Sequence, residues 1–167
     1  TGDAVGRVEA ALRPGDDELM VLCGDVPFIS AGTLERLAAV HRAGANVCTI
    51  LTAVFETPTG YGRILRDAAG SVTGIVEELN ASPEERAIRE INTGTYIFRR
   101  DALFRALPLV PKDPRKGEYY LTDVVRSFVA DGLPVATYLT PDPREVLGLN
   151  TLDDWRQAEE YLERRAP

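Results

Sequence analysis

Two oxygen-bearing side chains stand where an apolar segment hands the chain over to a turn. Asp25 follows the run Leu19-Met20-Val21-Leu22-Cys23 and the turn residue Gly24, and Asn150 follows Val146-Leu147-Gly148-Leu149. In open α/β sheets, ligands gather at the carboxyl ends of the strands, which makes both positions candidates for chemistry. A carboxylate and an amide carbonyl are hard oxygen donors suited to magnesium, and Gly24 lets a ligand approach the main chain closely. Each residue also has a structural explanation. Asp25 could bond neighbouring amides in its turn, and Asn150 stands directly before Thr151, where it could serve a helix start. Spacing alone leaves both readings open.

Softer metal chemistry finds too few ligands. The two cysteines, Cys23 and Cys48, and the single histidine, His41, cannot assemble the zinc sites built from those side chains, so any metal is a hard cation held by oxygen. Both cysteines lie in apolar, strand-like runs and read as reduced core thiols. His41 falls within the helix-like stretch Thr33-Leu34-Glu35-Arg36-Leu37-Ala38-Ala39-Val40-His41-Arg42 and reads as a solvent-facing residue.

The elements that must position these residues alternate. Leu19 to Cys23 reads as a central strand buried on both faces. Ser30 caps a helix with apolar Leu34, Leu37 and Val40, which Gly44 ends, and Val47 to Phe55 is the next strand of a parallel crossover. Gly62 to Arg66 and Ser71 to Glu78 flank Asp67-Ala68-Ala69-Gly70, a turn-rich junction that predicts an antiparallel hairpin. Ser82 to Arg86 is a polar loop or short helix, Glu90 to Phe98 a strand, and Asp101 the cap of a short helix ending near Pro108. The proline-rich stretch from 108 to 117 is a loop carrying Lys112, Arg115 and Lys116. Tyr120 to Ala130 is an amphipathic helix, Val135 to Leu139 a strand, and Leu152 to Arg165 a final helix begun by Thr151 with Asp154 as its capping-box partner. Mixed elements of this kind predict one layered α/β domain.

The 167 residues are 44% hydrophobic, enough for a core, and carry a formal net charge of −7, which disfavours nucleic acid as a partner. No apolar run approaches the roughly 20 residues that cross a bilayer, so no membrane partner is expected. No Gly-x-Gly-x-x-Gly follows a strand, which disfavours a dinucleotide-dependent oxidoreductase.

Taken in order, Gly24-Asp25-Val26-Pro27, Thr59-Gly60-Tyr61-Gly62-Arg63-Ile64, Gly74-Ile75-Val76-Glu77-Glu78, Glu90-Ile91-Asn92-Thr93-Gly94, Gly117-Glu118-Tyr119-Tyr120-Leu121-Thr122-Asp123 and Glu145-Val146-Leu147-Gly148-Leu149-Asn150 span nearly the whole chain. This series closely resembles the bacterial N-acetylglucosamine-1-phosphate uridyltransferases. The resemblance implies a Rossmann-like nucleotide-diphospho-sugar transferase fold with a mixed sheet, of which residues 1–167 would be the C-terminal two-thirds. It implies cytoplasmic uridylyl transfer from UTP to N-acetylglucosamine 1-phosphate, giving UDP-N-acetylglucosamine for peptidoglycan synthesis, with Mg2+ as cofactor.

By the same resemblance, Asp25 and Asn150 hold the catalytic magnesium. Gly62, Glu77, Asn92, Tyr120 and Thr122 form the sugar pocket, Cys23 and Gly24 line the ribose side, and Thr1 and Gly2 end a stretch that contacts uracil. Each has a structural alternative: a strand-entry bend for Tyr61 and Gly62, an exposed strand carboxylate for Glu77, a bulge for Asn92 and Gly94, a core position for Tyr120. This sequence departs from the family in having Glu78-Leu79-Asn80-Ala81 where Glu-Lys-Asp-Ala is usual, and Asp3 where a histidine is common. The family's glycine-rich loop, whose arginine and lysine wrap the triphosphate, would precede residue 1. The 167 residues alone are therefore expected to show little turnover, and a homo-oligomer or a complementing fragment could cover the sheet edge. Another sugar-1-phosphate nucleotidyltransferase and a non-catalytic sugar-nucleotide-binding module are the alternative functions.

Overall fold

The computed structural model describes residues 1–113, 117–149, 151–152, 154–156 and 159–160. Along them run α1 (Gly2–Gly6), β1 (Glu18–Val21), α2 (Ala31–Ala43), β2 (Cys48–Val54), β3 (Gly62–Arg66), β4 (Val72–Val76), α3 (Pro83–Arg86), β5 (Glu90–Arg99), α4 (Arg100–Ala106), α5 (Thr122–Ala130) and β6 (Val135–Leu139).

β5 is the hub of the sheet. It pairs antiparallel with β2 along one side; along the other it meets β3 near Ile91 and Asn92 and β1 from Tyr96 to Arg99. The strand order is β4-β3-β5-β2-β6, and only β2 and β6 run parallel within the described ladders. Period-two alternation sorts the side chains to two faces. Cys48 and Ile50 of β2 with Tyr96 and Phe98 of β5 join α4 and α5 in one core, while Leu51 and Ala53 with Ile91 and Ile97 join Leu37 of α2 in a second core on the opposite face. A mixed sheet between helical layers is the architecture expected from the sequence.

Local signals act as read. The Ser30 hydroxyl accepts the Thr33 amide at 3.2 Å at the start of α2, which Gly44 ends. In the β3–β4 turn, Asp67 accepts the amides of Ala69 and Ser71, each at 2.9 Å. Ser82 and Glu85 form a capping box at α3. Thr151 and Asp154 exchange amide-to-side-chain bonds of 2.7 and 3.1 Å, although much of the final helix, like Pro114, Arg115 and Lys116, lies outside the described residues.

Three expectations are corrected. The first strand is not central: β1 pairs only with β5 among the described residues, and it is buried on one face, at Leu19, while Met20 within the ladder and Leu22 beyond it are exposed on the other. β1 and β2 are parallel to each other but have β5 between them. His41 is buried, 2% exposed, because the inward face of α2 is Thr33, Leu37 and His41, and its Nδ1 meets the Thr49 hydroxyl of β2 at 2.9 Å. Finally, Arg99 rather than Asp101 occupies the cap position of α4, with Asp101 inside the first turn. Among the described residues no helix is long and apolar enough to cross a membrane.

Candidate active site

The site begins at a fault in the sheet. Pairing of β2 with β5 shifts between Ile50↔Tyr96 and Thr52↔Asn92, so Thr93, Gly94 and Thr95 bulge opposite Leu51. The Thr93 hydroxyl fills the gap by donating to the Leu51 carbonyl at 2.8 Å. Gly94 turns with φ of 78°, a left-handed conformation that glycine adopts without cost, and accepts the Cys23 thiol on its carbonyl at 3.5 Å. A Cβ at Gly94 would stand 2.5 Å from that sulfur. The bulge thus lets the Cys23-Gly24-Asp25 turn settle beside β5, and it aims Asn92 at the same space. Asn92 accepts the Gly94 amide at 3.2 Å and bonds the hydroxyl of Tyr96, whose pKa burial drives well above the usual tyrosine range.

Around this point five chain segments form a cleft of about 500 Å³. Among its lining residues are Thr1, Cys23, Gly24, Asp25, Glu77, Asn92, Tyr120 and Thr122. The hairpin delivers Glu77 just past β4, where its Oε1 accepts the Thr122 hydroxyl at 2.9 Å from the first turn of α5. The N-terminal segment docks on the chain before α5: Gly2 donates to the Tyr119 carbonyl at 2.8 Å and the Thr1 hydroxyl accepts the Leu121 amide at 3.3 Å. Gly62 is not in the lining but stands directly behind it, paired with Asn92; a Cβ there would press on Ile75 at 3.2 Å. Asn150 lies outside the described residues. Its neighbour Leu149 is described, and its amide donates to the Asp25 carbonyl at 2.8 Å.

The family departures lie outside the cleft lining. Of the two changed positions in Glu78-Leu79-Asn80-Ala81, Leu79 is exposed, while the unchanged Glu78 pairs with the buried guanidinium of Arg63 at 2.7 Å. Asn80 lines an adjoining recess with Lys112, Asp123 and Arg126, one that shares Glu77, Tyr120 and Thr122 with the cleft. Asp3 pairs with Arg7 at 3.2 Å and lines a separate recess rather than the cleft.

Electrostatically the cleft is acidic. Its lining carries the carboxylates of Asp25, Glu77 and Glu118 and no basic side chain among the described residues. Cys23 is half-buried at the cleft wall, not a core thiol; burial, with the charge of Asp25 adding to it, pushes its pKa up, which disfavours the thiolate. The Asp25 carboxylate is exposed while its main chain is fixed by Leu149, an arrangement that fits a hard divalent cation, which takes one or two carboxylates and completes its shell with water or phosphate. Sequence reasoning missed Tyr96 and Glu118 at the cleft. Strand alternation gives no sign that the ring of Tyr96, buried in the core, also borders the cleft.

The fold and the site can be set beside known proteins. The chain is 45% identical over 169 residues to the bifunctional protein GlmU of Pelotomaculum thermopropionicum, a match covering 98% of this chain and 37% of that protein. It is 44% identical over 165 residues to the bifunctional protein GlmU of Bacillus subtilis, covering 99% and 36%. The chain therefore spans little more than a third of the length of these curated relatives. In structure it resembles a putative glucose-1-phosphate thymidylyltransferase from Bacillus anthracis in complex with a sucrose, with a TM-score of 0.71 at 18% identity over 96% of this chain and 60% of that one. It also resembles UDP-glucose pyrophosphorylase complexed with UDP-glucose, with a TM-score of 0.70 at 13% identity over 99% of this chain and 62% of that one. Both likenesses establish the Rossmann-like nucleotide-sugar transferase fold. The profile of the nucleotidyl transferase family matches residues 1–155, and the chain belongs to that family.

Proposed function

We propose that the chain supplies the sugar- and metal-binding side of a site that transfers uridylyl from UTP to N-acetylglucosamine 1-phosphate, giving UDP-N-acetylglucosamine and pyrophosphate. The observation that supports it most directly is the convergence on one cleft of Asp25, Glu77, Asn92, Tyr120 and Thr122, residues drawn from segments far apart in the chain. In this reading a phosphate oxygen of the sugar phosphate attacks the α-phosphorus of UTP in line, and the P–O bond to pyrophosphate breaks. Such catalysis rests on alignment and charge neutralisation. Glu77 and Asn92 accept and donate hydrogen bonds to the hydroxyl and acetamido groups, with Thr122 holding the Glu77 carboxylate in place. Gly62 adds its backbone, Tyr120 bounds the sugar, and Cys23 and Gly24 face the ribose.

Asp25, together with Asn150, holds Mg2+ in this proposal. That ion would neutralise the two anionic reactants at a cleft whose described lining offers no basic side chain. The product would feed cytoplasmic cell-wall synthesis. The edge of β1 that pairs with no strand among the described residues is where a second copy or a complementing fragment would add.

Calorimetric titration of the chain with UDP-N-acetylglucosamine and magnesium tests the reading directly, with saturable, magnesium-dependent binding expected. Failure to bind sinks it. The 167 residues contain no glycine-rich loop with arginine and lysine for a triphosphate, so pyrophosphate release by them alone is expected to be weak. Tighter binding of a thymidine or glucose nucleotide-sugar would move the reading to another sugar-1-phosphate nucleotidyltransferase. A second reading, a sugar-nucleotide-binding module without catalysis, predicts saturable binding and no turnover even when a triphosphate-binding loop is supplied.

A further inference from the structure

Tyr61 has no role in the site so far, yet it touches both ends of it. Its carbonyl is gripped by Nη1 of Arg63, whose Nη2 holds Glu78, so the guanidinium clamps the end of the β3–β4 hairpin that carries Gly62 and Glu77. Its hydroxyl accepts the Gly148 amide at 3.3 Å, one residue before Leu149, whose own amide reaches the Asp25 carbonyl. The ring is fixed between these bonds: it stacks edge-on against Phe55 with centroids 5.1 Å apart and packs against the second core, of which Val146 is part.

Among the described residues the segment from 145 to 149 has no strand pairing to hold it. It is a short 3-10 turn, Pro143–Val146, followed by extended chain. Among its fixed points are Glu145, buried and accepting the Thr33 hydroxyl, Val146, buried in the second core, and, beyond them, the two amides of Gly148 and Leu149. An amide in extended, unpaired chain needs an acceptor of fixed position, and a tyrosine hydroxyl held by its packed ring provides one.

We infer that Tyr61 is a positioning residue for the metal end of the site: its hydroxyl holds the Gly148 amide and so sets the register at which Leu149 meets Asp25. The link to metal binding rests on the reading of Asp25 as a ligand; the link between Tyr61 and Leu149 does not. Through Arg63 the same residue couples this register to the hairpin that presents Glu77. The proximity is electrostatic as well as geometric, since the tyrosine's pKa is raised, first by burial and then by the charges of Asp154 and Asp25.

Tyr61→Phe removes the hydroxyl and keeps the ring against Phe55. Amide hydrogen exchange on the full chain is the first measurement. Exchange at Gly148 and, beyond the direct contact, at Leu149 is expected to be about tenfold faster, the loss of roughly one net hydrogen bond, with Ile97 in β5 unchanged. Acceleration confined to Gly148 overturns the inference. So does global acceleration including Ile97, because the tyrosine would then be holding the fold and not the register. The second measurement is line broadening of the Asp25 and Leu149 amides by Mn2+ alone. A midpoint raised several-fold in the variant is expected, and an unchanged midpoint removes the consequence for the metal. Broadening absent from the unsubstituted chain instead sinks Asp25 as a ligand and leaves the exchange result to decide Tyr61.

Discussion

The carbonyl of Asp25 accepts the amide of Leu149 at 2.8 Å, joining the turn after the first strand to a segment near the far end of the chain. The bond uses main-chain atoms, so it survives substitution of either side chain. It leaves the exposed Asp25 carboxylate as a separable part whose removal should not disturb the fold.

Asp25→Asn is therefore expected to keep the midpoint of thermal unfolding within a few degrees while lowering turnover by orders of magnitude. An amide keeps the shape and loses the charge that a divalent cation needs. The check is kcat at saturating magnesium beside a melting curve, in a form of the protein competent for turnover. A near-normal rate would remove Asp25 from the metal site.

The Thr122 hydroxyl donates to Glu77 at 2.9 Å, and Thr122 is buried. Thr122→Val matches the shape and leaves the carboxylate without this partner. A hydrogen bond to a charged group contributes about 1.5–3 kcal/mol, so affinity for the sugar phosphate should fall by about tenfold or more. The magnesium midpoint should not move, since Asp25 is supported separately. A loss of metal affinity equal to the loss of sugar affinity would show that Thr122 supports the metal end as well.

Much of this arrangement was readable in the sequence where a local signal decides it. Ser30, the Asp67 to Gly70 turn and the Thr151 with Asp154 cap each act through neighbours a few residues away. Glu77 and Thr122 were placed by the ends of elements the pattern fixes, β4 and α5, whereas Asn92 lies inside β5 and reaches the cleft beside the bulge. Position within the sheet was not readable. The run Leu19 to Cys23 is as apolar as a central strand, yet whether it has a second neighbour depends on chain far away in sequence. His41 shows a different limit: a polar residue two turns beyond Thr33 on the same face is inside if a partner such as Thr49 is waiting, and only the packed structure supplies that partner.

His41 makes stability depend on pH. Burial holds its pKa below the ordinary histidine value; Glu18 opposes this, and Arg42 and Arg99 add to it. Because the folded pKa is depressed, the unfolded chain takes up the proton first. The neutral ring's contribution is complete above the unfolded value of about 6.5 and is lost as pH falls toward the folded value. Urea midpoints measured at pH 7.5 and 5.5 should thus fall more in the unsubstituted chain than in His41→Leu, where the other titrating groups remain and cancel in the comparison. Equal falls would mean that the imidazole is hydrated in the folded state.

Gly94 is the residue on which the bulge, and with it the cleft, most directly depends. Its φ of 78° is costly for any residue with a Cβ, by about 1–3 kcal/mol, and the added carbon would also meet the Cys23 sulfur at 2.5 Å. These two penalties can be separated. In Gly94→Ala both are present; in Gly94→Ala with Cys23→Ala the contact is relieved, since the Cβ of residue 23 lies 3.9 Å away, while the backbone strain persists. The double variant should accordingly be more stable than the sum of the single changes, by about 1 kcal/mol or more, in a double-mutant cycle read by urea unfolding. Strict additivity would show that the Cys23 turn shifts aside freely, and the packing of Cys23 on Gly94 would then not be what holds Asp25 beside Asn92.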